Sequence, residues 1–283
     1  MPQKILQLYP PPIRESALKG TYLAHKVHVL GTSDKPFVYG NFVSSLDGRI
    51  ALGDTGVSQV PKSLTSDNDF RLFLELQAQA DCLITHGGYL RAIAERRLDD
   101  ILQVGVQPGT EDLALWRASA GLAAQPAVVV ASASLDFPLP ESIRKHGQRL
   151  YIATGRRADT ARVRKLEQQG HAVIFAGQER QVEGTALTQA LGSLGFKSLY
   201  LLAGPRMLET MLRERVLSRL YLTMTHQIIG GEKFHTLIDG PELGDGGRLS
   251  LRSLYYDASS PSGAGQWFGQ FEPAAGEYLR SHF

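Results

Sequence analysis

From Phe37 onward, short runs of β-branched and aromatic residues alternate with stretches of helical periodicity. The runs are FVYGNFVSS, DCLIT, AVVVAS, RLYIAT, HAVIFA and SLYLLA. Strands separated by helix-length patterns predict parallel pairing through crossover helices. The intervening patterns carry their own start and stop signals. Ser66 precedes DNDFRLFLELQAQA, where an N-cap and two early Asp suit the positive end of a helix and Phe70, Phe73 and Leu74 form an apolar stripe. Asp159 precedes TARVRKLEQQG, which closes on Gly170. In GTALTQALGSLG, Leu187, Ala190, Leu191 and Leu194 follow the i, i+3, i+4, i+7 spacing and are expected to face the sheet. Beyond about residue 218, RLYLTMTHQIIGG, RLSLRSLYYDA, QWFGQF and EYLRSHF predict antiparallel strands added at the sheet's edge. Residues 1–36, with YPPP and little periodicity, read as an arm on the body or on a partner subunit. One mixed, mostly parallel sheet flanked by helices, an α/β fold, accounts for residues 37–283 as a single domain.

Four breaks in this pattern are candidates for chemistry. In NFVSSLDGRIAL, Asn41, Ser45 and Asp47 end an apolar strand. Asp47-Gly48 is a common turn dipeptide, and strand ends in α/β sheets are also where ligands sit, so both readings stand. In SLYLLAGPRMLETML a strand, Gly204-Pro205 and a helix start follow one another, with Leu208, Met211 and Leu212 as the buried stripe. Such a turn is a ready phosphate site and equally an ordinary strand-to-helix connection. DCLITHGGYLRAIAERRL offers Gly87-Gly88 with Arg91, Arg96 and Arg97, either phosphate ligands or a solvated helix face. Thr154, Gly155, Arg156 and Arg157 follow a strand, where adjacent arginines suit a 2′-phosphate or simply an exposed loop.

Composition narrows the classes. With 43% hydrophobic residues in 283 the chain can bury a proper core. A formal charge of +2 gives no basic surface for nucleic acid. The single Cys82 excludes an intrachain disulfide or a cysteine metal cage. His25 and His28 lack a third ligand, and His86, His226 and His235 read as structural, so no metal is expected. No G-x-G-x-x-G, G-x-S-x-G, H-E-x-x-H or P-loop is present. No apolar run approaches a membrane span, so a cytoplasmic protein without membrane partners is expected.

The ordered set NFVSSLDGRIA, LTS before a helix, DCLITHGGYLRA, and LYLLAGPRMLETML through LTMTHQIIGG resembles the riboflavin-biosynthesis pyrimidine reductases over roughly residues 37–240. The resemblance implies a dihydrofolate reductase-like three-layer fold and a homodimer. It implies NADPH-dependent reduction of a ribosylaminopyrimidine 5′-phosphate at sugar C1, as in 5-amino-6-(5-phosphoribosylamino)uracil reductase. One cysteine cannot supply the zinc deaminase domain of the fused enzymes. Carried across by motif, Asn41, Ser45, Ser58 and Thr65 fall on the substrate side. Ser44, Gly87, Gly88, Thr154, Gly155, Arg156, Ala203, Gly204, Pro205, Arg206, Met207 and Leu208 fall on the cofactor side. Asp47 is the acidic candidate for proton delivery, or a turn-former. The chain departs from the family pattern at Leu202 for a Glu, Gln77 for an Arg, Tyr89 for a Thr and Ile93 for an Asp. It also departs at Leu217-Ser218-Arg219 and Thr225-His226. These departures leave a reductase of another small carbonyl or imine, or a non-catalytic nucleotide-binding or interaction relative, as alternatives. A folate reductase proper is a weaker one.

Overall fold

The computed structural model describes residues 3–53, 60–259 and 263–274. In chain order the first strands are β1 (Lys4–Tyr9), β2 (Arg14–Ala17), β3 (Phe37–Ser45) and β4 (Arg49–Leu52), followed by helix α1 (Asp67–Gln77). Next come β5 (Cys82–His86), α2 (Gly87–Ala94), α3 (Glu111–Ser119), β6 (Ala127–Ala131), α4 (Glu141–Lys145), β7 (Leu150–Thr154), α5 (Thr160–Gln168) and β8 (Ala172–Phe175). The chain continues through α6 (Gly184–Ser193), β9 (Ser198–Leu201), α7 (Pro205–Arg213), β10 (Arg219–Thr225), β11 (Phe234–Thr236), β12 (Leu249–Asp257) and β13 (Gln266–Pro273). The expected α/β class, a mixed and mostly parallel sheet with flanking helices and an antiparallel addition, is the observed one. Contacts group the chain into two compact units, residues 1–24, 39–73 and 204–283, and residues 25–38 and 74–203.

In the first unit β10 is the pivot. It runs parallel to β3, with Thr225 beside Ser45, and antiparallel to β13, which pairs antiparallel with β12. The late strands are therefore antiparallel as expected, but β10 is not purely an edge addition. β12 pairs in turn with β1, and β1 with β2, both antiparallel. Residues expected to lie as an arm thus include two paired strands. The alternation that builds them is only KILQLY, with Ile5 and Gln7 turned inward, too short to stand out as a period. β4 and β11 form a separate two-stranded sheet. The final run EYLRSHF lies outside the described residues.

The start of α1 is held by a buried polar network. Ser66 Oγ accepts the Asp69 N–H at 3.0 Å, as the capping reading required. Asn68 Nδ2 and Gln266 Nε2 both donate to Asp257 Oδ2, at 2.7 and 2.9 Å. Thr223 Oγ1 donates to Asp69 Oδ1 at 2.5 Å. Burial nevertheless pushes the Asp69 carboxyl up to about 6, against the Thr223 bond that favours its charged form. The stripe assigned to Phe70 is corrected. Phe70 is 38% exposed and stacks on Phe73 at 5.8 Å, while Leu72, Leu74 and Leu76 are buried. Residues 71–80 are buried almost all round, so no single face marks the core side.

The second unit carries five parallel strands in the order β9-β5-β6-β7-β8. Cys82–Ile84, Val128–Val130 and Leu199–Leu201 are sealed from solvent, the continuous apolar reading of strands covered on both faces. Asp159 caps α5 by accepting the N–H groups of Ala161 and Arg162, and Gly170 takes φ +82° behind that helix. In α6, Leu187 and Leu191 are buried, but Leu194 is 44% exposed, against expectation. The helix ends at Ser193, Gly195 reverses the chain at φ +89°, and Phe196 occupies the interior instead. Arg117, fully buried, donates to the carbonyls of Ala78, Ala80 and Ala123 and fixes α3 to the segment following α1. Among the described residues no helix is long and apolar enough to cross a membrane.

Candidate functional site

In the first unit, β3 ends in a tight polar clasp. Ser45, sealed from solvent, donates its hydroxyl to Asp47 Oδ1 and accepts the Arg49 N–H at 3.0 Å. Asp47 Oδ2 pairs with Arg49 Nη1 and accepts the Gly230 N–H at 3.0 Å, while Oδ1 also receives Ile229 N–H at 3.4 Å. Gly48 follows at φ +76°, the left-handed turn that Asp-Gly favours. The Ser45 hydroxyl, the Gly230 and Ile229 amides and Arg49 hold the Asp47 carboxyl down to about 2 against its partial desolvation. A carboxyl held this way anchors the turn and presents charge at the end of β3.

Asn41 lies on the same strand opposite Tyr221, and its Oδ1 is a buried acceptor without a hydrogen-bond partner among the described residues. Such an acceptor is costly unless something donates to it. Ser44 is buried and its carbonyl accepts from Thr225 Oγ1 at 3.2 Å. Thr65 is exposed and donates to the Lys62 carbonyl at 3.2 Å. Ser58 lies outside the described residues.

Gly204 caps α7 with Pro205 in the first turn, as the Gly-Pro pair implied. Its carbonyl accepts the N–H groups of Met207 and Leu208, at 3.1 and 3.3 Å. A methyl group built on Gly204 meets no heavy atom of the described residues within 4 Å, and φ −79° is open to any residue. Among the described residues nothing requires glycine at this position. Leu208, Met211 and Leu212 are buried, and Arg206 pairs with Asp239 at 3.0 Å. One loop ties this helix start to the β3 clasp: Ile229 and Gly230 hold Asp47 at one end, and Asp239 and Gly240 meet Arg206 and Glu209 at the other. Between them Phe234 lies under the Arg49 guanidinium, 4.2 Å from its ring centre.

The candidates of the second unit follow β5, β7 and β9 at the carboxyl edge of its sheet, where ligands of open α/β sheets bind. Here the glycines have internal causes. A methyl on Gly87 would press on Phe137 at 2.8 Å, and one on Gly88 on the His86 ring at 2.9 Å. That ring accepts the Tyr89 N–H at 3.3 Å, and burial lowers the His86 pKa, which keeps the imidazole a neutral acceptor. A methyl on Gly155 would stand 2.0 Å from the Glu179 carbonyl oxygen. The amides of Gly155, Arg156 and Arg157 donate to Arg180, Gly177 and Glu179, and Arg157 pairs with Glu179 at 2.9 Å. Thr154 is sealed from solvent with its hydroxyl unpartnered, while Arg156 is exposed. Arg91 and Arg96 are exposed, and Ala203, half-buried, ends this unit.

Two family departures converge on one segment. Gln77 is buried and donates to the Ile101 carbonyl at 2.5 Å. The Tyr89 hydroxyl accepts the Ile101 N–H at 3.1 Å and donates to the Asp99 carbonyl at 2.8 Å. Both side chains hold residues 99–101 in place. Sequence reasoning did not find this anchor, nor Ile229 and Gly230 as partners of Asp47. Backbone amides about 180 positions away leave no side-chain signal.

A model of the RibD C-terminal domain matches residues 36–259. The 2,5-diamino-6-ribosylamino-4(3H)-pyrimidinone 5′-phosphate reductase of Archaeoglobus fulgidus is 25% identical over 206 residues, 73% of this chain and 87% of its own length. Its counterpart from Aquifex aeolicus is 24% identical over 208 residues, covering 73% and 84%. Among solved structures, a pyrimidine reductase-like protein from Corynebacterium diphtheriae superposes with a TM-score of 0.63 at 20% identity, over 86% of this chain and 93% of that one. The fold is shared with that solved structure. The chain belongs to the RibD C-terminal domain family, and with it to the pyrimidine reductases.

Proposed function

We propose that this protein is an NADPH-dependent reductase that transfers hydride to C1 of a ribosylaminopyrimidine 5′-phosphate or a close analogue, acting as a cytoplasmic homodimer. The observation that carries the reading is Gly204. It opens a nine-residue helix, no described residue fills the space beside its Cα, and neither the packing of the described residues nor the backbone angle calls for glycine. Close approach of a coenzyme's pyrophosphate to the Gly204–Leu208 backbone gives it a reason. When bound, the nicotinamide supplies the hydride and the protein supplies orientation and electrostatics.

In the substrate, opening of the sugar ring with one proton taken up from solvent at the ring oxygen leaves a protonated imine, and addition of hydride to its carbon gives the neutral secondary amine. Asp47 then contributes negative charge and a fixed strand end, consistent with a carboxyl held at about 2. Asn41 Oδ1 accepts a substrate hydroxyl or N–H that ends its isolation. Ser45 keeps the Asp47 carboxylate in place.

A second reading has a specific observation behind it. The position where the family's phosphate-binding Arg is expected holds Gln77, which is turned into the protein and bonded to Ile101. That favours a substrate without the 5′-phosphate. NADPH and NADH fluorescence titrations of the wild type and Gly204→Val test the main reading. Saturable NADPH binding that Gly204→Val removes is the expected result; absence of binding to either coenzyme, or an unchanged affinity in the variant, overturns it. Turnover of the phosphorylated substrate against its dephosphorylated form decides between the two substrates, and sedimentation reports the dimer.

A further inference from the structure

We propose that the groove between α5 and the loop leaving β6 is a binding site for a small aromatic phosphomonoester. It is a cavity of about 650 Å³, within the size range of small-molecule sites. The loop forming one wall is set by Leu135, whose φ of +53° is rare for a branched apolar residue. The Ser132 hydroxyl accepts its N–H at 3.0 Å, and its side chain is buried with Ile152 and Val163 and packed against Leu166. Leu135 turns inward, and the chain that follows stays tied to α5, Asp136 through Arg162 and Phe137 against the cluster that holds Val163, with the groove between them.

Both walls are rigidly backed. Arg91 Nη1 donates to the Asp136 carbonyl at 2.5 Å, and Phe137 lies against Gly87. On the opposite side Arg162 donates to the Ser134 carbonyl at 2.8 Å and pairs with Asp136 at 3.3 Å. Strain at a non-glycine residue persists only where its surroundings fix it, and it clusters at ligand sites.

The chemistry of the lining selects the occupant. Leu135, Phe137, Leu139 and Leu166 supply an apolar wall, and Arg162, Lys165 and His171 supply the polar rim with Asp136 as its carboxylate. Asp136 is committed to Arg162. Lys165, one turn further along α5, has no carboxylate within ion-pair distance among the described residues. A flat apolar body against Phe137 with a phosphate at Lys165 satisfies both halves.

The test is calorimetric titration of the full chain with phenyl phosphate, with inorganic phosphate as the charge-only probe. Lys165→Glu and Gln169→Glu alter exposed lining residues and leave the fold intact. One saturable phenyl phosphate site per chain is expected, weakened about tenfold or more by Lys165→Glu. It should be weakened less by Gln169→Glu and unchanged in Gly204→Val. Three outcomes overturn the proposal: no saturation, an affinity that Lys165→Glu does not move, or inorganic phosphate binding as tightly as phenyl phosphate. Loss of binding in Gly204→Val also overturns it, by assigning the ligand to the coenzyme site.

Discussion

At Gly155 an added methyl group would stand 2.0 Å from the Glu179 carbonyl oxygen, whereas at Gly204 it would meet no heavy atom of the described residues within 4 Å. The two turns read alike in sequence, each a strand end followed by glycine with an arginine one or two residues on. One glycine exists so that two loops of the second unit can touch and exchange backbone hydrogen bonds. The other lies beside empty space at the head of α7. A turn glycine is thus informative about ligands only once the chain's own demand for it has been subtracted.

Substitution breaks the comparison most sharply at Gly155. Gly155→Ala forces the 177–180 loop away and is expected to cost about 1–3 kcal/mol or more in a urea unfolding titration. Gly204→Ser should move stability by only a few tenths of a kcal/mol, because serine caps a helix at least as well as glycine. The same change is expected to weaken coenzyme binding about tenfold, read by NADPH fluorescence. If Gly204→Ser unfolds the protein as Gly155→Ala does, the contrast is gone.

Two carboxyls of the first unit extend the contrast to pH. Asp69 is pushed up to about 6 by burial, so its folded pKa lies above its unfolded value. Its stabilising contribution is complete below pH 4 and is lost as pH rises toward 6 and beyond. Asp69→Asn should therefore raise the melting temperature at pH 7.5 by a few degrees and leave it nearly unchanged at pH 4. Asp47 has the opposite sign. Its carboxyl is held at about 2, so its contribution is present above pH 4 and disappears as pH falls through 2. Asp47→Asn should remove a small part of the acid-side slope in a melting series from pH 5 to pH 2. It should leave the remainder of the profile in place.

Much of the fold was legible because it is local. The apolar runs at 37–45, 127–131 and 198–201 are strands, and Asp159, Gly170 and Pro205 sit where capping chemistry placed them. Failures came where tertiary context decides. Phe70 and Phe73 suggested a buried stripe, but almost the whole of residues 71–80 is enclosed. Leu194 kept the helical spacing beyond the point where the helix had ended. The site was legible as residue types and not as partners. Asp-Gly announced a turn, while the amides that set Asp47's charge state come from Ile229 and Gly230. The Gly87-Gly88 pair suggested a phosphate cradle, while the crowding that Phe137 and the His86 ring impose there has no sequence signal.

Arg117 imposes an order of events on the nascent chain. Its guanidinium takes up the carbonyls of Ala78 and Ala80, which leave the ribosome 39 and 37 residues ahead of it. Until α3 emerges, those oxygens behind α1 have only water to receive. A chain ending before residue 117 lacks the cation that satisfies them, and its seam behind α1 is left to water.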